Sequence, residues 1–94
     1  MKLPSLPLFT DTFSAETVHL TNEQVGMYIR LLCFAWTKKG RPFATQSAYT
    51  ICQCKNIKCE SIVREVLEEF FDRGDNRNTW TNKRLSTEMK YLLD

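Results

Sequence analysis

Between Thr21 and Gly40 the sequence specifies one helix together with both of its ends, and this segment constrains the rest of the chain more than any other. Val25, Tyr28, Ile29, Leu32, Ala35 and Trp36 recur at helical spacing and form one broad apolar face, which predicts a helix from about Asn22 to Trp36. Thr21 is the expected N-cap. Gln24, three residues later, is placed to reach back in a capping box, while Gly40 and Pro42 stop the chain beyond the last turn. Gly26 lies inside this helix at a cost of about 1 kcal/mol against alanine, so a close approach by another backbone is expected there. A helix with so wide an apolar face has to be covered by other elements. In a chain of 94 residues that means one core and a single domain, residues 1–94. Hydrophobic residues at 43% and aromatic residues at 12% supply the material for it.

The covering elements are legible downstream. Arg41-Pro42-Phe43 reads as a short strand, and Thr45 as the cap of a second helix through about Gln53, with Ala48, Tyr49 and Cys52 facing inward. Cys54 to Ile57 is the expected turn. A third helix follows from about Lys58 to Phe70, on which Ile62, Val63, Val66, Leu67, Phe70 and Phe71 repeat with helical period. Asp72 to Asn78 is rich in turn residues and leads into the β-prone Thr79-Trp80-Thr81, which together predict a hairpin with Trp80 pointing inward. From Asn82 onward, Leu85, Met89, Leu92 and Leu93 are spaced as a last helix cut short at the chain end, as expected for the N-terminal part of a longer protein. The resulting fold class is mainly α with a small β-hairpin, in the order of a winged helix-turn-helix whose hairpin is the wing. Val25, Tyr28, Leu32, Trp36, Ile62, Val66, Leu67, Phe70 and Trp80 should converge in its core.

Several function classes are excluded or disfavoured by what the chain lacks. One histidine and three glycines cannot furnish a phosphate-cradling loop or a multi-histidine metal site, which removes a rolling-circle nickase and argues against an enzyme. Tyr28 lies on the apolar face of its helix with nothing to activate it as a nucleophile, and His19, just before a helix cap, reads as a structural hydrogen-bonder. No apolar run reaches membrane-spanning length and no cleavable leader is recognisable, so a cytoplasmic protein that does not engage membranes is expected. In that reducing compartment Cys33, Cys52, Cys54 and Cys59 are expected as free thiols, with Cys33 packed as a small apolar residue. The Cys52-x-Cys54-x4-Cys59 spacing matches no common structural zinc site, so neither metal nor cofactor is expected.

Thr17-Val18-His19-Leu20-Thr21 leading into Gly26-Met27-Tyr28-Ile29-Arg30-Leu31-Leu32 and Trp36 resembles the YdaU-type domain of unknown function found in phage and prophage replication proteins. The resemblance continues through Arg41-Pro42, Phe70-Phe71, and Trp80-Thr81-Asn82-Lys83-Arg84-Leu85 with Glu88. It implies a winged-helix-like module associated with replication initiation or helicase loading.

Charge distribution says more than the net value of +2, because residues 24–59 carry Arg30, Lys38, Lys39, Arg41, Lys55 and Lys58 and no acidic residue. In a helix-turn-helix the tip of the recognition helix meets base edges while adjoining turns touch phosphates, which makes Lys55, Asn56 and Lys58 candidate contacts. Lys38, Lys39 and Arg41 add to the basic segment, and Arg73, Arg77, Lys83 and Arg84 to the wing region. Asn56 is the candidate base reader, since an amide can pair bidentately with adenine. Glu60, Glu65, Glu68 and Glu69 oppose deep insertion of the third helix and leave only its tip for contact. Double-stranded DNA is therefore the favoured partner, in a replication initiation protein. The alternative is an adaptor that binds a replicative helicase, a loader or another host protein through the acidic face.

Overall fold

The computed structural model describes residues 10–76, 78–82 and 85. Among these, α1 (Thr10–Thr17) precedes α2 (Asn22–Thr37), β1 (Phe43–Ala44), α3 (Thr45–Ile51), α4 (Ile57–Phe70), β2 (Asp72–Arg73) and β3 (Thr79–Thr81). The chain is thus mainly helical with a small antiparallel sheet. Its strand order is β1-β3-β2, so the expected hairpin is present and β1 joins it across β3, with Phe43 opposite Trp80 on one side and Arg73 opposite Trp80 on the other.

Helix α2 starts as its sequence requires. The Thr21 hydroxyl accepts the Gln24 N–H at 3.2 Å, and the Gln24 side chain accepts the Thr21 N–H at 2.9 Å, completing the capping box. At its far end Lys39 adopts φ 58° and Gly40 φ 76°. The Lys39 N–H donates to the Trp36 carbonyl and the Gly40 N–H to the Ala35 carbonyl, which is the Schellman pattern for closing a helix. The same device closes α3, where Gln53 takes φ 58° and the N–H groups of Gln53 and Cys54 donate to Thr50 and Tyr49. Lys39 and Gln53 take this left-handed conformation with side chains, which costs more there than glycine would.

The core forms where α2 packs on α3 and α4, with α3 against β1 and α4 against β2. Leu31, Val63 and Leu67 are fully enclosed, with Val66, Ala48, Trp36 and Trp80 beside them. Each such aliphatic or aromatic side chain contributes about 1.5–3 kcal/mol on leaving water. Phe43 and Phe71 meet edge to face at 5.7 Å, tying the first strand to the end of α4. Trp80 points inward as expected, and its indole N–H donates to the Thr45 hydroxyl at 2.7 Å.

The structure revises several expectations, each for a local reason. The buried face of α2 is centred on Tyr28, Leu31, Leu32 and Ala35, so Val25 falls on its flank rather than in the core. Ile62 and Phe70 are half-buried, and the deeper positions beside them are Val63 and Phe71. Cys33 is exposed, off the face of α2 buried through Leu31, Leu32, Ala35 and Trp36. Among the described residues nothing approaches Gly26: a Cβ built there meets none of their atoms within 4 Å. Thr45 does not cap α3, whose N-cap is Ala44 without a side-chain hydrogen bond. Its hydroxyl instead donates to the Asn78 carbonyl at 3.1 Å and accepts from Trp80, spending it on the sheet.

Helix α1 was not anticipated, since TDTFSAET lacks an apolar stripe. It is held by tertiary contacts: Phe13 stacks on Tyr28 with ring centroids 5.6 Å apart, and Tyr28 stacks in turn on Phe70 at 4.1 Å. Beyond β3, the Asn82 amide donates to the Phe70 carbonyl and its oxygen accepts the Leu85 N–H, which satisfies a buried polar side chain at both ends. The rest of the expected last helix lies outside the described residues. No helix among the described residues is long and apolar enough to cross a membrane.

Candidate nucleic-acid interface

The turn between α3 and α4 is built by backbone geometry before any functional side chain is considered. After the Schellman closure of α3, the chain runs through Cys54 and Lys55 to Asn56, whose extended backbone and side-chain oxygen form the N-cap of α4. That oxygen accepts the Cys59 N–H at 2.8 Å. Cys54 and Cys59 are joined as a disulfide with a Cα separation of 5.4 Å, within the range such a bond spans without backbone movement. The free-thiol expectation is therefore corrected for this pair, because the turn folds the two cysteines back to back. Among the described residues Cys33 and Cys52 remain free. Burial pushes the Cys52 thiol up to about 11, opposed by the nearby positive charge of Arg30. Neutral and half-buried, with its sulfur 3.9 Å from the Met27 carbonyl, Cys52 is a packing residue. Among the described residues no cluster of potential ligands is arranged to hold a metal ion.

Lys55, Asn56 and Lys58 stand together in this turn, all exposed. Neither lysine has an ion-pair partner among the described residues. Between them Ile57, the first residue of α4, is 79% exposed. The other cations are placed differently. Lys38 caps the C-terminal end of α2 with its ammonium 5.9 Å from the Phe34 ring centre, exposed Lys39 occupies the left-handed position, and Arg41 donates through Nε to the Lys38 carbonyl at 3.0 Å. They form a second basic turn on a different element. Arg73 lies in β2 with its guanidinium 4.6 Å from the Trp80 ring centre and 3.5 Å from the Glu68 carboxylate. Stacking and pairing hold it against the sheet. Arg77, Lys83 and Arg84 lie outside the described residues.

Of the acidic side chains of α4, Glu60 lies in the first turn, where it complements the helix dipole. Further along, Glu68 pairs with Arg73 and Glu69 with His19, so part of the negative face is engaged within the chain. His19 is thereby the structural hydrogen-bonder expected from its place before the cap. Sequence reasoning passed over Ile57 and the disulfide. Ile57 is out of phase with the Ile62-Val63-Val66-Leu67 stripe, and that mismatch was readable as exposure. The turn between Cys54 and Cys59 was readable, but their pairing was set aside with the expectation of a reducing compartment, and only the folded turn shows the two Cα atoms 5.4 Å apart.

The comparison with known families bears on the whole of this assembly, since a family model described as "Protein of unknown function (DUF1376)" matches residues 6–90. The chain belongs to the DUF1376 family. A relative in this sense is the Escherichia coli (strain K12) protein named "Uncharacterized protein YdaU", 30% identical over 87 residues. That match covers 93% of this chain but 29% of the relative, so the chain spans under a third of that protein's length. The match agrees with the resemblance read from Gly26 to Leu32 and around Trp80. No solved structure matches the DUF1376 chain.

Proposed function

We propose that this DUF1376 domain is a winged helix-turn-helix that binds duplex DNA, as the DNA-binding module of a phage or mobile-element replication initiation protein. The observation that carries the reading is the turn before α4, where Lys55 and Lys58 are exposed, with no ion-pair partner among the described residues, at the start of a helix whose backbone is fixed by a cap and a disulfide. In a helix-turn-helix this is the end of the recognition helix that meets the groove. The element order α2, β1, α3, α4, β2, β3 and the strand order β1-β3-β2 support α3 and α4 as the motif's two helices and β2–β3 as its wing. The run of six cations without an acidic residue over 24–59 supports an anionic partner.

A titration of duplex DNA at two salt concentrations tests this. Affinity should fall steeply with salt, and replacing Lys55 or Lys58 with alanine should each reduce the slope of log affinity against log salt by about 0.9. Glu65, exposed and without an ion-pair partner among the described residues, favours the adaptor reading, in which α4 docks on a helicase, a loader or another host protein. Negligible DNA affinity at low salt, with partner capture abolished by Glu65→Lys, would establish the adaptor and overturn DNA binding.

A further inference from the structure

Helix α4 opens with a large apolar side chain in solvent. Ile57 is 79% exposed, whereas Val63, Val66 and Leu67, which seat the helix, are at most 1% exposed. A single exposed isoleucine is unremarkable by itself. This one stands between Lys55 and Lys58, on a backbone held by the Asn56 cap, the Cys54–Cys59 bond and the Cys54 N–H donated to Tyr49. A β-branched side chain on so restrained a backbone has little freedom left to lose on binding.

The neighbouring amide narrows what this turn can read. A bidentate contact to adenine requires the oxygen and nitrogen of Asn56 to face the base together. Its oxygen is directed back at the Cys59 N–H. Between two phosphate-directed lysines, the side chain left to meet a base edge is apolar. The apolar feature that the major groove displays is the C5 methyl group of thymine. We propose that Ile57 is a specificity-determining residue that packs against a thymine methyl in the major groove. This inference rests on the DNA-binding reading above.

The test begins by selecting duplexes from a pool with a randomised centre, using the wild-type domain. A thymine should be enriched at one position. Replacing that thymine with uracil, which removes only the methyl, should weaken wild-type binding about fourfold, the effect of exposing one buried methyl group. Ile57→Ala should bind the thymine duplex about fourfold more weakly than wild type and should no longer distinguish thymine from uracil. The exposure of Ile57 leaves the fold intact in this variant, which circular dichroism checks. An enriched site without a fixed thymine, or a thymine preference that survives in Ile57→Ala, would overturn the proposal while leaving DNA binding in place. Absence of binding to any duplex at low salt would remove the DNA-binding reading and this proposal together.

Discussion

The α2–α4 interface and the α3–α4 turn are adjoining parts of one small domain, yet they are stabilised by different physics. In the interface, Leu31, Val63 and Leu67 are enclosed on all sides and gain their stability from removal of apolar surface from water. In the turn, Lys55, Asn56, Ile57 and Lys58 are all exposed, and order comes from backbone hydrogen bonds, a cap and a covalent link. Burial ties a residue's identity to the fold. Capping leaves the side chains between the caps free to vary, which is the condition under which a surface can acquire a binding role without costing stability.

The largest expected effect lies on the buried side. Phe71→Ala should cost about 3–5 kcal/mol, because Phe71 is 5% exposed and its ring meets both Phe43 and Tyr28. Chemical denaturation measures it, and a loss below about 1 kcal/mol would mean that burial at the α4 end contributes no more than the capped turn does. Next comes the covalent link: removing the Cys54–Cys59 bond with Cys54→Ser and Cys59→Ser together should cost about 2 kcal/mol by releasing a short loop in the unfolded chain. Equal melting temperatures with and without reductant would show that the turn is ordered by its hydrogen bonds alone.

Asn56→Ala should cost about 1 kcal/mol through loss of the α4 cap, and Asn56→Asp should retain most of that stability because its carboxylate can accept the same N–H. A destabilisation that aspartate does not rescue would indicate a role beyond capping. The smallest effect has the opposite sign. Gly26→Ala should raise stability by about 0.5–1 kcal/mol, since a Cβ there meets nothing within 4 Å and alanine is the better helix former. A thermal melt shifted downward would mean that some contact requires the glycine. Gly74 forms the contrast: a Cβ at that position would collide with the Thr79 hydroxyl, across the hairpin where the Gly74 N–H donates to the Thr79 carbonyl.

Local signals carried far in this chain. The capping box at Thr21 and Gln24, the helical stripe from Tyr28 to Trp36, the stripe from Val63 to Phe71 and the turn residues before Trp80 are each decided within a few positions, because caps, periodicity and turn chemistry are short-range effects. The positions of Lys55, Asn56 and Lys58 in one turn followed from the same signals. Tertiary structure alone decided the remainder. Helix α1 forms because Phe13 finds Tyr28, a contact its own sequence does not encode. Thr45 leaves the cap of α3 because Trp80 and Asn78 compete for its hydroxyl across the sheet. Among the described residues nothing comes within 4 Å of a Cβ at Gly26, and Cys33 faces solvent, because which side of α2 is covered depends on how the other elements pack on it. Asn56 spends its oxygen on the helix it begins, which turns attention from its amide to the isoleucine beside it. Periodicity shows that a helix has an apolar face, but only the partner that covers it determines which of the flanking residues are left in water.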